Sequence, residues 1–165
     1  MKTLFYLVTV LLLVLSAGSS FAQVRAKGKS LPKAQPGANF IVTKKALAAF
    51  ETDYKGAANI NWSKVDESFH VSFIMNRQKN AVLYNGDGNM IYHVIFGFGK
   101  NLTKNIADQV NSEYPSCKIQ TVFHVFQGRA EVWFVDLEQE KSLIQARVED
   151  GLLMEDYRIR NQNSL

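Results

Sequence analysis

The strongest constraint on this 165-residue chain is that one pattern is written in it twice. From Thr43, the residues Leu47, Phe50 and Tyr54 fall at helical spacing. Ala46 and Ala49 stand beside them, and Lys44, Lys45, Glu51 and Asp53 fill other positions. This spacing predicts an amphipathic helix of about three turns that stops near Gly56. From Leu102, the residues Ile106, Val110 and Tyr114 repeat the spacing, with Ala107 alongside and Pro115 as the stop. The two closing tyrosines are 60 residues apart. Self-similarity at a fixed period means one supersecondary unit used twice.

Each predicted helix is followed by the same series of strand signals. In the first copy, Ile60 and Trp62 alternate with Asn59, Asn61 and Ser63. After a turn at Asp66-Glu67, Phe69, Val71 and Phe73 alternate with His70 and Ser72. Ala81 to Tyr84 is a short apolar run, Asn85-Gly86-Asp87-Gly88-Asn89 is a turn, and Met90 to Phe96 is a further strand. In the second copy, Ile119 to Phe126 and Ala130 to Leu137 form a hairpin across Gln127-Gly128. Leu143 to Val148 and Leu152 to Ile159 follow, joined at Asp150-Gly151. The pattern predicts an α+β chain in which each unit is a helix and then four antiparallel strands. The first unit spans 41–99 and the second 100–165, making one compact domain over 41–165.

The run Ala49-Phe50, Tyr54-Lys55-Gly56-Ala57, Ile60-Asn61-Trp62, Phe69-His70-Val71-Ser72-Phe73 and Asp87-Gly88 resembles the PepSY-like, β-lactamase-inhibitor-like family of small exported bacterial proteins. Tyr114-Pro115-Ser116-Cys117-Lys118-Ile119 resembles the same element at the start of the second copy. The resemblance covers about Thr43 to Tyr157. It implies two tandem units sharing one curved antiparallel sheet, with helices on one face and the other face open. It implies no catalytic activity. Lys55 stands where the family has Pro, and Ser116-Cys117 where it has Gly-Ala.

The beginning of the chain reads as an export signal. Lys2 supplies a positive start, Leu4 to Leu15 is an apolar run, and Ser20-Phe21-Ala22 places small residues at a cleavage site. The apolar run is shorter than the roughly 20 residues a membrane span requires. Residues 1–22 are therefore expected to be removed, with a periplasmic or secreted location for the rest. The net charge of +4 is misplaced for a nucleic-acid module. Arg25, Lys27, Lys29 and Lys33 lie in a Gly- and Pro-containing segment, 23–40, that reads as a flexible basic arm. From Ile41 onward 14 basic residues face 15 acidic ones, so no nucleic-acid partner is expected. Cys117 is the only cysteine, which excludes an intrachain disulfide, so the core must hold the fold. At the 60-residue offset Cys117 aligns with Ala57, which predicts a buried small side chain.

No residue pattern specifies a reaction. His70, His93 and His124 are far apart in sequence and lack metal-ligand spacing. The Asn85–Asn89 run lacks the Gly and Glu of a calcium loop at Met90 and Phe96. No catalytic, cofactor or metal residue is predicted, and no cofactor. The feature that rises above composition is the second hairpin. Its alternation gives one face of Phe123, Val125, Val132 and Phe134, expected to be core. The other face comprises Val122, His124, Phe126, Arg129, Glu131, Trp133 and Val135, expected to be open and to bind. Trp62, opposite Val71, is expected in the core and Trp133 at least partly in water. An exposed aromatic patch on a small protein points to a contact surface. The expectation is thus a non-enzymatic binding or inhibitor-like module for a protein or peptide of the cell envelope. The alternative is a small periplasmic hydrolase or metal-dependent enzyme whose site is assembled from distant residues.

Processing gives the first test. Protein exported by a bacterial host should have the intact mass of a chain that begins at Gln23. A membrane-bound species retaining Met1 to Ala22 would overturn the signal reading.

Overall fold

The computed structural model describes residues 40–160, so the expected signal and all but the last residue of the basic arm lie outside the described residues. Helix α1, Lys44–Asp53, is followed by strands β1, Ala58–Val65, β2, Ser68–Met75, β3, Gln78–Tyr84, and β4, Met90–Gly97. A short 3-10 turn at Gly99–Asn101 leads to helix α2, Lys104–Glu113. Strands β5, Lys118–Gln127, β6, Ala130–Gln139, β7, Ser142–Glu149, and β8, Leu152–Arg160, complete the chain. The strands form one antiparallel sheet in the order β1 to β8, each paired with its neighbours in sequence. The fold is α+β: two helices, each followed by four antiparallel strands, with the strands merged in a single open sheet.

The repeat extends to hydrogen bonds. Thr43 caps α1, its side-chain oxygen accepting from the Ala46 amide at 3.2 Å, and Thr103 does the same for the Ile106 amide at 3.4 Å. A threonine oxygen here satisfies one of the amides that a helix start leaves unpaired. At the other ends, the Tyr54 amide donates to the Phe50 carbonyl and the Tyr114 amide to the Val110 carbonyl, both at 2.9 Å. Ala57 and Cys117 then donate back to those tyrosine carbonyls. Cys117 is half-buried against the second core, as Ala57 is against the first. β1 and β5 each carry a register shift at the same point, between Ala58 and Asn61 and between Ile119 and Thr121.

Residues directly opposite one another in neighbouring strands share a face. One row runs Trp62, Val71, Val82, His93, Phe126 and Glu131, and a second runs Phe73, Asn80, Ile95, His124, Trp133 and Val148. Both helices pack on this side. Ala46 and Phe50 of α1 meet Phe69, Val71, Phe73, Val82 and Tyr84. Ile106 and Val110 of α2 meet Val122, Trp133, Val135, Leu137, Ile144, Ala146 and Val148. Leu47, expected on the buried stripe of α1, is 40% exposed; the stripe is centred on Ala46 and Phe50 instead.

This placement corrects the face assignment of the second hairpin. Val122, Trp133 and Val135 lie beneath α2, and Trp133 is only 8% exposed. The hairpin turn is Gly128-Arg129, with Gln127 opposite Ala130, so the true register is two residues from the expected one. A two-residue shift leaves every side chain on its face, so pairing is not the source of the error. Both faces of β5 and β6 are apolar, and alternation alone does not say which one meets a helix.

The opposite side has no helix among the described residues. It carries Leu83, Tyr92, Val94, Val125, Val132 and Phe134, which are buried, and Phe96 and Phe123, which are half-buried. Towards β8 it carries Leu143, Leu152, Met154, Tyr157 and Ile159, exposed by 37% to 66%.

The β3–β4 turn meets the start of α1. Thr43 donates its hydroxyl to the Gly86 carbonyl at 3.0 Å, and Lys45 pairs with Asp87 at 2.8 Å. A Cβ on Gly88, whose φ is +82°, would stand 2.7 Å from the Lys45 carbonyl oxygen. Gly151, at φ +77°, has open space in that direction. Gly88→Ala should therefore lower the melting temperature more than Gly151→Ala, since both suffer the backbone strain and only the first adds a backbone clash. Trp133→Ala should cost about 3–5 kcal/mol in a denaturant titration, as for a core aromatic. A cost near zero would mean that α2 does not cover this ring.

Candidate functional site

The residues expected to form a binding face come together on the helix side of the sheet, around its centre line where the two repeats join. Pairing of β4 with β5 sets His93 opposite Phe126 and Ile95 opposite His124. Pairing of β5 with β6 sets His124 opposite Trp133 and Phe126 opposite Glu131. The rings form a continuous chain from one core to the other. Tyr54 meets His93 edge-on at 5.3 Å, and His93 stacks on Phe126 at 5.7 Å. Phe126 lies 4.1 Å from His124, which stacks on Trp133 at 3.7 Å. Val122 and Val135 sit deeper, under α2, and Arg129 is exposed in the hairpin turn. A cavity of about 110 Å³ opens beside this chain, lined by Gln78, Ile95, Gly97, Asn101, Val122, His124 and Trp133.

The polar partners fix the ring orientations. Asn80 donates its side-chain amide to the Gln78 carbonyl at 2.9 Å, leaving its oxygen to accept from His93 Nε2 at 2.9 Å. His124 Nε2 lies 2.7 Å from the Glu131 carboxylate, which is mostly in water. Burial pushes the His93 pKa down from 6.5 to about 4, with a smaller contribution from nearby His124. Burial also lowers His124, against the opposing pull of Glu131. Imidazoles held neutral in a ring stack contribute to packing and hydrogen bonding rather than to charge. Among the described residues, no group of three or more His, Cys, Asp or Glu side chains is placed to hold a metal ion.

His70 stands apart from this cluster, on the helix-free side. Its Nδ1 lies 3.2 Å from the Ser63 hydroxyl. It is half-buried, and burial lowers its pKa. The helix-free side also holds Val125, Val132 and Phe134, which are buried as sequence reasoning expected, and Phe123, which is half-buried. Phe96 and Phe123 meet edge-to-face at 5.5 Å, and the Lys79 ammonium sits 5.1 Å over the Phe96 ring. Arg147 bonds both Glu149 and Asp156 on the same side. The repeat itself carried the missing signal. Adding 60 to Trp62 gives Val122, and because Trp62 is a core residue, Val122 and its cross-strand partner Val135 should be too.

A pH titration tests the buried imidazole. The unfolded chain takes up a proton at His93 near pH 6.5, whereas the folded chain refuses it until about pH 4. Its contribution is thus fully present above pH 6.5 and is lost as the pH falls towards 4. With the solvent screening of a partly exposed ring, the loss should be on the order of 1–2 kcal/mol. In urea titrations between pH 7 and 4, His93→Gln should flatten the decline seen in the parent. An unchanged slope would show that His93 is freely protonated in the folded protein.

No protein-family model matches the chain, and no curated protein matches it. Solved structures do share its fold. A BLIP-like protein of Bacteroides fragilis aligns over 77% of this chain and 94% of its own, with a TM-score of 0.63 at 15% identity. A Bacteroides eggerthii protein with a predicted periplasmic location aligns over 76% and 94%, with the same TM-score and identity. A DUF2874 family protein of Bacteroides ovatus aligns over 73% and 88%, with a TM-score of 0.61 at 17% identity. At these identities the likeness is one of fold, and the structural neighbours of this chain are BLIP-like and DUF2874 proteins of Bacteroides.

Proposed function

We propose that this chain is an exported, non-enzymatic binding module that holds a protein or peptide partner of the cell envelope on the helix-free side of its sheet. The observation that carries the reading is the sidedness of the sheet. Both helices pack on one side, while the other side presents the half-buried Phe96 and Phe123 and the exposed Met154, Tyr157 and Ile159 with no described helix over them. Aromatic side chains on a rigid sheet offer large contact area at low entropic cost, and they are frequent anchors of protein interfaces. The Lys79 ammonium over the Phe96 ring adds charge on that surface, which favours orientation of a polar partner. The BLIP-like likeness supports an inhibitor-type role, and the predicted periplasmic location of a second neighbour supports export.

The helix-side ring chain is assigned a packing role in this reading. It joins the two cores, and its histidines are held neutral by burial.

The exported protein, used as bait in an envelope extract of its own source, should retain a discrete partner. Phe96→Ala combined with Phe123→Ala should weaken retention by at least about tenfold, as for loss of interface anchors, while leaving a cooperative melt. His124→Ala, on the helix side, should retain the partner. Equal retention by the parent and the Phe96/Phe123 variant, or loss only in His124→Ala, would move the contact to the helix side.

A further inference from the structure

The two edges of the sheet are unlike. β1 is blunted: its register shifts between Ala58 and Asn61, Asn59 has φ +54°, and Asn61, Ser63 and Lys64 interrupt its apolar residues, of which Ile60 and Val65 are exposed. Such features keep an edge from pairing with another strand. β8 is nine residues long, and its outer edge has no partner among the described residues. Five of the eleven large apolar residues exposed among the described residues lie on the helix-free side of β7 and β8: Leu143, Leu152, Met154, Tyr157 and Ile159. The other side of β8 carries Leu153, Glu155, Arg158 and Arg160.

β8 has one irregularity, and it selects the partner. Gln145 faces Tyr157 while Ala146 faces Glu155, so Asp156 is an extra residue. Its carboxylate bonds Arg147 on the helix-free side, the side that Tyr157 also occupies. Side chains therefore alternate normally up to Asp156, miss one alternation, and alternate normally again. A regular extended peptide laid along this edge would match faces on one half and mismatch them on the other. A second β8 has the same irregularity. Run antiparallel about a twofold axis between Asp156 and Tyr157, it sets Met154 opposite Ile159, Glu155 opposite Arg158 and Leu153 opposite Arg160. Every one of these pairs shares a face. The register also places opposite charges across the axis twice, because Glu155 and Arg158, paired with each other at 2.8 Å within each chain, meet their counterparts in the other copy as well.

We propose that β8 is a dimerisation edge: two copies of this chain pair β8 to β8 in that register and form one continuous sixteen-stranded sheet. Such a contact is isologous and closes on itself, and the blunted β1 edges at the two ends stop further growth. The helix-free sides of the two copies become one surface, with the β7–β8 apolar residues of both at its middle. The area is modest for a permanent complex, so a dissociation constant of about 1–100 μM is expected.

The experiment is sedimentation equilibrium on the exported protein from about 1 to about 500 μM, spanning that range. The parent should pass from monomer to dimer. Glu155→Arg alone and Arg158→Glu alone should each weaken dimerisation by at least about tenfold, since each sets like charges opposite one another. An equimolar mixture of these two variants should recover the dimer, because every cross-axis pair is then complementary. Ile159→Lys, on the other face and exposed in the monomer, should also weaken it while the circular dichroism and melting curve stay those of the parent. The proposal is overturned by a parent that stays monomeric throughout or associates without limit. It is equally overturned by a dimer indifferent to these substitutions, or by a mixture that fails to recover.

Discussion

The pairing of β4 with β5 is the contact on which the molecule depends. It is the place where the two repeats share a sheet, through His93 with Phe126, Val94 with Val125, Ile95 with His124, Phe96 with Phe123, and Gly97 with Val122. A four-stranded sheet with one short helix buries little apolar surface by itself, and small units of that size are marginal. Joining the sheets lets each unit continue the other's core. The ring chain from Tyr54 to Trp133 crosses that seam on the helix side, and Phe96 with Phe123 crosses it on the opposite side. The seam also makes Gly97 necessary, since a Cβ there would meet the Asn101 side chain at 2.9 Å, the residue that accepts from the Phe98 amide to turn the chain into α2.

Most of the fold was legible because its signals are local and doubled. The two helices, the tyrosines that close them and the turn at Asp150-Gly151 follow from residue chemistry over a few positions. The Trp62–Val71 register follows in the same way from the Asp66-Glu67 turn. What alternation does not carry is a choice between two apolar faces, and β5 and β6 are apolar on both. The choice is made by a long-range relation: the row begun by Trp62 in β1 continues across four strand pairings to Phe126, and its neighbouring row to Trp133. Leu47 was misplaced for a related reason. At helical spacing Ala46 and Leu47 are both candidates for the buried stripe, and the small residue is the one that lets α1 approach the sheet closely.

The candidate site was legible in composition but not in position. The residues named from the second hairpin do cluster, yet helix α2 takes Val122, Trp133 and Val135 into the core. The aromatics left on the helix-free side, Phe123 and Phe134, are those that a strong hydrophobic pattern assigns inward. A sheet that is apolar on both sides is itself informative, since a solvated face would alternate to polar residues.

The meander order has a consequence for how the chain reaches this state. Nearly every strand pair closes across a tight turn of a few residues, so most native contacts are close in sequence and cheap to form in entropy. The β4–β5 seam is the exception, because α2 and its flanking turns lie between the two strands. The seam is therefore the strand pairing whose closure orders the longest stretch of intervening chain, while every hairpin on either side of it closes locally.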